Sequence, residues 1–204
     1  MGCEECSLES SERLWNLSLT LPSNFLARLE KANLTSSFVV DAAGEITNEQ
    51  GNSKGLGNDS DLVLLKTLRR HAQVVLTSGL TARVEKYRMP GSADLAIFTE
   101  RGVKELDLEP KPEQQLLILT PPQVTSYDEA LETLLGSYSR VHVEFGPTGI
   151  REILHRLDLV AVSGKDSEGI AKFVCAIDLD VAEQFELPEL FVTLGVGRGK
   201  GSNA

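Results

Sequence analysis

Two turns in the sequence carry the residue types that bind phosphate groups. Thr77-Ser78-Gly79-Leu80-Thr81 follows one short apolar run, and Glu144-Phe145-Gly146-Pro147-Thr148-Gly149 follows another. Both turns offer backbone N–H groups beside a predicted helix start, where an anion is favoured, and the first adds hydroxyl groups. Glu144 at the mouth of the second turn could accept hydrogen bonds from a ligand. An ordinary strand-to-helix turn has the same composition, so a structural role and a ligand-binding role both stay open.

A polar loop and a pair of arginines add to these turns. The loop Gly51-Asn52-Ser53-Lys54-Gly55-Leu56-Gly57-Asn58 precedes a predicted helix, which ends near Arg69 and Arg70. The loop could close over a ligand or be an exposed turn. One of the arginines could present a bidentate guanidinium to a phosphate, or both could be solvated at the helix end.

The sequence contains no motif typical of a hydrolytic active site. His71, His142 and His155 are scattered, and none accompanies a nucleophile or zinc motif, so each is interpreted as satisfied or solvated. We therefore predict no metal site, and the catalytic residues stay unknown. A site of glycines, hydroxyls and a few charges suits hydride transfer, because there the cofactor carries the chemistry and the protein orients it.

Short apolar runs alternate with helical patterns along the chain. This alternation, with runs that are continuously apolar, predicts an α/β fold with a mostly parallel central sheet, buried on both faces. Ligands then bind at the carboxyl ends of the strands. The predicted strands are 36–40, 74–76, 95–98, 116–119, 141–145, 159–162 and 191–194, and the predicted helices are 22–31, 58–70, 127–135 and 147–157.

Composition limits the class of protein. The chain has 204 residues, and 20 Lys and Arg against 30 Asp and Glu give a net charge of −10, which disfavours nucleic-acid and anionic-membrane partners. Without a secretory or membrane-spanning pattern, we expect a cytoplasmic protein. Residues 1–12 are predicted to form a flexible acidic tail containing the unexplained pair Cys3 and Cys6, and 13–204 a single domain. Cys175 lies in an apolar run and is expected in the core.

The motifs, in their order and spacing, resemble the riboflavin-biosynthesis pyrimidine reductases, a family with the dihydrofolate-reductase-like fold. The resemblance covers roughly residues 33–200 and is closest to a divergent member of the stand-alone actinobacterial branch. It rests on Gly55-Leu56-Gly57-Asn58, on Leu68-Arg69, on Ser78-Gly79-Leu80-Thr81-Ala82-Arg83-Val84-Glu85-Lys86-Tyr87 and on Glu144-Phe145-Gly146-Pro147-Thr148. No deaminase signature is present, so a reductase here would stand alone. The resemblance implies a three-layer fold with helices on both faces of the sheet.

The resemblance also implies an activity and a set of site residues. It implies an NADPH-dependent reductase that transfers hydride to the imine form of a phosphorylated ribosylamino-pyrimidine or a related small substrate, and a homodimer. NADPH preference needs a cation near the ribose phosphate, for which Arg83, Lys86 and Arg101 are candidates. The implied substrate-binding residues are Ser53, Arg69 and Glu144, and the implied cofactor-binding residues are Gly79, Thr81, Glu85, Gly146, Thr148 and Gly149.

Three departures from the family pattern keep an alternative open. The Asp-Gly pair expected after the first strand is split in Asp41-Ala42-Ala43-Gly44. Phe145 replaces a glycine where the backbone would approach a pyrophosphate, which a phenyl ring could block. Leu80 adds bulk to the first turn. The alternative is a non-catalytic relative that binds a nucleotide or a protein partner.

Overall fold

One central sheet contains all eight strands that the computed structural model describes, over residues 20–197. The strand order is β4-β3-β2-β5-β1-β6-β8-β7. Strands β1 to β6 are parallel, whereas β8 runs antiparallel to β6 and to β7. The mostly parallel sheet predicted from the sequence is thus confirmed. The strands are β1 Leu34–Val40, β2 Val74–Ser78, β3 Asp94–Phe98, β4 Leu116–Leu119, β5 Val141–Glu144, β6 Leu159–Gly164, β7 Leu179–Leu187 and β8 Leu190–Gly197.

The helices occupy the connections between strands. They are α1 Ser23–Lys31, α2 Asp59–His71, α3 Gly79–Val84, α4 Tyr127–Leu135, α5 Pro147–Ile153 and α6 Ser167–Ala176. The predicted helix 147–157 is α5 followed by a 3₁₀ turn at Leu154–Arg156. Among the described residues, no helix is long and apolar enough to cross a membrane.

Apolar side chains cover both faces of the sheet. Val74, Leu76, Val160 and Val162 pack with α4, α5 and α6 on one face, whereas Val75, Leu159 and Ala161 pack with the other helices on the opposite face. This alternation along each strand produces a helix–sheet–helix arrangement. The three-layer fold implied by the resemblance is therefore present.

Helix α2 carries leucines on two faces. Asn58 caps the helix, since its side chain accepts a hydrogen bond from the Asp61 N–H at 3.1 Å. Leu64 and Leu68 are fully buried, whereas Leu65 is half-buried. Leucines lie on two faces because one face packs on the sheet and the other lines a cavity.

Strand β7 and helix α6 were not predicted, helix α3 was predicted only as a helix start after Ser78, and one residue was placed wrongly. Strand β7 lies at the sheet edge with alternating exposed residues, so it has no continuous apolar run. Helix α6 was not predicted, and Cys175 lies on its exposed side rather than in the core. The apolar run around Cys175 belongs to a helix, of which only one face is buried. The predicted tail 1–12, with Cys3 and Cys6, and both ends of the predicted domain 13–204 lie outside the described residues.

Candidate functional site

A cavity of about 750 Å³ lies at the carboxyl ends of β1, β2 and β5. This volume falls within the roughly 300–1,000 Å³ of small-molecule sites. Five predicted site residues line it together, namely Ser53, Arg69, Thr81, Glu85 and Glu144. The predicted cofactor residues Gly79, Gly146, Thr148 and Gly149 lie on the adjoining turns but do not line this cavity.

Arg69 and Glu144 form a bidentate ion pair in the cavity wall. Arg69 Nε donates to Glu144 Oε1 at 2.6 Å, and Arg69 Nη2 donates to Glu144 Oε2 at 2.7 Å. The Tyr87 hydroxyl also donates to Glu144 Oε2, and the Arg69 guanidinium lies 5.3 Å from the centre of the Tyr87 ring. Glu144 therefore already accepts three hydrogen bonds, of the roughly four that a carboxylate can accept. The two implied substrate ligands contact each other directly.

Electrostatics favour the charged form of Arg69. Burial disfavours the Arg69 charge, but attraction to Glu144 and their hydrogen bonds outweigh it, so the pKa of Arg69 is raised. His142 lies behind the pair, completely buried, with Nε2 at 3.4 Å from Glu144 Oε1 and Nδ1 at 2.8 Å from the Thr35 hydroxyl oxygen. Desolvation, together with the nearby Arg69 charge, lowers the pKa of His142 to about 3. The imidazole is therefore neutral and satisfied, as the sequence interpretation held.

The long loop after β1 is tied to the cavity rim. Glu85 Oε1 accepts a hydrogen bond from the Ser53 backbone N–H at 2.7 Å. The Asn48 side chain braces the loop further, accepting from the Gln50 and Asn52 N–H groups and donating to the Lys54 carbonyl. Ser53 and Glu85, implied as a substrate ligand and a cofactor ligand, are thus in contact, and the loop covers one side of the cavity.

Packing explains two of the predicted cofactor glycines. A Cβ on Gly79 would overlap the side chain of Thr99, and a Cβ on Gly149 would lie 2.8 Å from the Tyr127 ring and 2.9 Å from Phe145 Cβ. Both positions are buried and exclude a side chain whether or not a ligand is bound. The glycines at these positions are therefore accounted for by the fold.

Gly146 differs, because it faces open space between the two turns. Of the non-neighbouring atoms, only the Thr81 hydroxyl oxygen, at 3.9 Å, lies within 4 Å of the position of a Cβ on Gly146. Thr81 itself is fixed by Ser78, whose hydroxyl oxygen accepts from the Thr81 N–H at 3.0 Å. Thr148 is exposed on the first turn of α5. The space beside Gly146 is where these residues can accommodate a cofactor.

The departures from the family pattern have structural explanations. Phe145 borders the cavity, but its ring, 3% exposed, packs into the core against Tyr127 with ring centres 4.6 Å apart. Asp41 accepts hydrogen bonds from the Ala43 and Glu45 N–H groups and closes a turn in which Gly44 has a φ of 86°. Leu80 is 71% exposed at the cavity rim.

Sequence reasoning assigned no role to three residues that line this cavity. Asp61 and Tyr87 are polar groups in its wall, and Arg88 lies beside Lys86 at its rim. Tyr87 belongs to one of the motifs that carry the family resemblance. Asp61 lies eight residues before Arg69 on the same helix, and this spacing places both residues on one face. The spacing is the sequence feature that could have identified Asp61.

The three candidate cations for a cofactor phosphate differ in their ion pairs and in whether they line the cavity. Arg83 is held by Glu105 and by the Gly102 carbonyl at 2.9 Å, and Arg101 does not line the cavity. Lys86 lines the cavity and forms no ion pair with any described residue. Over residues 20–197, no cluster of three or more potential ligands could hold a metal ion.

Comparison with known proteins finds similar structures but no significant sequence match. No family model matches the chain, and no curated protein sequence matches it significantly. A pyrimidine reductase-like protein from Corynebacterium diphtheriae superposes with a TM-score of 0.62 at 13% identity, covering 87% of this chain and 95% of that one. A Thermotoga maritima diaminohydroxyphosphoribosylaminopyrimidine deaminase/5-amino-6-(5-phosphoribosylamino)uracil reductase gives 0.58 at 15% identity, covering 80% of this chain and 56% of that one.

A third structure extends the likeness beyond the riboflavin pathway. Dihydrofolate reductase from Enterococcus faecalis, complexed with NADP(H), gives a TM-score of 0.51 at 11% identity, covering 81% of this chain and 96% of that one. At these identities the comparisons establish architecture. The chain has the dihydrofolate-reductase-like fold of the riboflavin-pathway pyrimidine reductases, as the sequence resemblance predicted.

Proposed function

We propose that the chain is an NADPH-dependent reductase of a phosphorylated ribosylamino-pyrimidine, or of a related small substrate. The observation that carries the proposal is that residues implied for substrate and residues implied for cofactor line one cavity at the strand ends. NADPH, when bound, supplies the hydride. Thr81 and the open face of Gly146 fit a cofactor, while Arg69, Glu144 and Tyr87 form a rigid polar wall for the substrate.

The substrate phosphate is best matched by Lys86 and Arg88 rather than by Arg69, so Lys86 is assigned to the substrate and not to the ribose phosphate of the cofactor. Glu144 engages the Nε and Nη2 side of the Arg69 guanidinium, so a phosphate would have to compete with a bidentate carboxylate for that side. Lys86 and Arg88 are exposed at the cavity rim and have no ion pair among the described residues. Two such cations on a protein of net charge −10 concentrate anions locally at the cavity mouth.

The non-catalytic alternative rests on Phe145 and on the split Asp-Gly pair. The Phe145 ring is packed in the core, and Asp41 closes a turn by accepting hydrogen bonds from the Ala43 and Glu45 N–H groups. Absence of NADPH binding would favour this alternative. We further propose a homodimer, implied by the resemblance alone, which sedimentation velocity of the purified protein tests.

Cofactor binding is tested first, as a thermal shift across an NADPH titration. At 100 times its dissociation constant, a ligand adds about 2.7 kcal/mol to the unfolding free energy. Gly146→Val, which adds a branched side chain to the open face beside Thr81, should abolish the shift. Gly91→Val is the matched control, since Gly91 is exposed with no atom within 4 Å of its Cβ position. No shift at millimolar NADPH in wild type would favour the non-catalytic alternative.

Turnover is tested as NADPH oxidation that depends on a phosphorylated ribosylamino-pyrimidine. Lys86→Ala and Arg88→Ala should each raise KM for this substrate about tenfold and leave the dephosphorylated substrate unaffected. Arg70→Ala is the control, because Arg70 is exposed, adjacent to Arg69 and outside the cavity lining. Equal losses for both substrates would show that Lys86 and Arg88 do not read the phosphate.

A further inference from the structure

Ser37 and the buried imidazole of His142 have no role in the proposed function. Ser37 lies on β1, is partly buried and lines the cavity, and its hydroxyl oxygen lies 3.4 Å from His142 Nε2. Over residues 20–197, His142 is the only hydrogen-bond partner of this hydroxyl. A serine hydroxyl has one proton, and what Ser37 can bind depends on whether it spends that proton on His142. The answer depends on which imidazole nitrogen carries a hydrogen.

The contact with Thr35 indicates that His142 carries its hydrogen on Nε2. His142 is completely buried and its pKa is lowered to about 3, so the neutral ring has one hydrogen. The Thr35 hydroxyl, 2% exposed, lies 2.8 Å from Nδ1 and has no other hydrogen-bond partner among the described residues. If Nδ1 carried the hydrogen, Thr35 would accept it, and the proton of Thr35 would be buried without an acceptor. With the hydrogen on Nε2, Thr35 donates to Nδ1 and both groups are satisfied.

Glu144 favours the same tautomer. Its Oε1 accepts a hydrogen bond from Arg69 Nε and lies 3.4 Å from His142 Nε2. An unprotonated Nε2 would place a lone pair beside this carboxylate oxygen, whereas an Nε2–H group is attracted to it. The Nε2–H group donates to Ser37 Oγ, since His142 forms a hydrogen bond with Ser37 on this side of the ring. The Ser37 proton is then left for a ligand in the cavity.

The surroundings of Ser37 suit the ring of a ligand rather than its phosphate. A neutral hydroxyl can donate to an uncharged carbonyl oxygen, but it does not offset the charge of a phosphate. Val39, on the same face of β1, and Leu65 of α2 also line the cavity and are partly buried, so they offer apolar contacts to a ring. Lys86 and Arg88, in contrast, are exposed at the cavity rim.

We propose that Ser37 binds a carbonyl oxygen on the pyrimidine ring of the substrate, and that His142, as the Nε2–H tautomer, is the positioning residue that directs the Ser37 proton to it. This inference rests on the proposed function. The ring lies inside the cavity against β1, and the phosphate lies at the rim. Ser37 thus selects substrates by an oxygen atom on the ring.

The tautomer is tested without cofactor or substrate. In protein labelled with ¹⁵N in its three histidines, NMR distinguishes a protonated imidazole nitrogen from an unprotonated one. The His142 signals are those lost in His142→Gln or, where that variant does not fold, those retained in both His71→Gln and His155→Gln. We expect a protonated Nε2 and an unprotonated Nδ1. A hydrogen on Nδ1 would mean that Ser37 donates its proton to Nε2, and this result overturns the proposal.

The substrate contact is tested by steady-state kinetics. Ser37→Ala should raise KM for the substrate about fivefold, as expected for one neutral hydrogen bond, and leave kcat and the NADPH dissociation constant unchanged. It should not change KM for an analogue that lacks the ring carbonyl oxygens. Ser36→Ala is the matched control, because Ser36 points to the opposite face of β1 and donates to the Val143 carbonyl at 2.7 Å. This control should lower the free energy of unfolding and leave KM unchanged.

The positioning role of His142 is tested with two variants. Gln at position 142 can donate from the place of Nε2, so His142→Gln should keep the wild-type KM. His142→Leu has no such donor and should raise KM as Ser37→Ala does. An unchanged KM in His142→Leu contradicts the positioning role.

Failure of the Ser37 contact is distinguishable from failure of the proposed function. An active wild type whose Ser37→Ala variant keeps its KM contradicts the contact alone, and a loss of NADPH affinity in its place would assign the hydroxyl to the cofactor and overturn the proposal. A wild type that does not oxidise NADPH contradicts the proposed function, and the substrate contact with it, even where His142 carries its hydrogen on Nε2.

Discussion

Replacing Glu144 by Gln should destabilise the protein by leaving the Arg69 charge without its partner. Removing one member of a buried ion pair costs about 3–5 kcal/mol. The side chains of Arg69 and Glu144 are 27% and 12% exposed, so solvent screening reduces the expected loss to about 2–3 kcal/mol. For a domain of this size, each kcal/mol lowers Tm by about 2–4 °C. Glu144→Gln should therefore lower Tm by about 4–12 °C.

A double-mutant cycle isolates the pair. Unfolding in urea is measured for wild type, Glu144→Gln, Arg69→Met and the double variant. The double variant should be more stable than the sum of the single losses predicts, by about 1–3 kcal/mol, because it leaves no unpaired charge. The matched control is Glu105→Gln, which removes the partner of Arg83 at an exposed position and should leave Tm almost unchanged.

Additive losses would refute this reasoning. If the cycle shows no coupling, or if Glu144→Gln behaves like Glu105→Gln, Arg69 and Glu144 do not form a stable pair in solution. Arg69 would then be available for a substrate phosphate, and the assignment of that phosphate to Lys86 and Arg88 would lose its argument.

Three further predictions follow from single contacts. Glu85→Ala removes the group that accepts the hydrogen bond from the Ser53 N–H. Because a hydrogen bond to a charged group contributes about 1.5–3 kcal/mol, hydrogen exchange at the Ser53 amide, measured by NMR, should become at least tenfold faster. The pKa of His142 is depressed in the folded protein, so the unfolded chain binds the proton more readily. Between pH 6.5 and 5 the unfolding free energy should therefore fall on acidification, by up to about 1.4 kcal/mol per pH unit. His142→Gln should reduce that slope, as measured by urea titrations at each pH. Gly79→Ala, whose Cβ would overlap Thr99, should cost about 1–3 kcal/mol in the same assay, and an unchanged midpoint would contradict the packing explanation.

The parallel part of the sheet was predictable because its strands are buried on both faces. Strands such as β2 and β6 have no exposed position, and a continuous apolar run is the sequence signature of that environment. Strand β7 contacts one neighbour only and exposes alternate residues, so its apolar positions do not form a run. Its alternation resembles that of many exposed segments, which is why the sequence alone did not identify it.

The sequence indicated which residues lie at the cavity better than it indicated their contacts with one another. Arg69 and Glu144 were each expected to contact substrate, yet they lie 75 residues apart in sequence and bind each other. Nothing in either local sequence indicates this pairing, because it depends on the position of α2 beside the end of β5. The environment of Asp61 depends in the same way on Ser163, which lies 102 residues away.

The direction of Phe145, in contrast, follows from the strand that precedes it. Side chains alternate between the two faces of a strand, and Val141, Val143 and Phe145 all pack in the core cluster on one face of the sheet. His142 and Glu144 face the other way, toward Thr35 and Arg69. Once Glu144 points to the cavity wall, its neighbour Phe145 must point into the core. The Phe145 ring therefore packs against Tyr127, and the turn after β5 keeps its open face at Gly146.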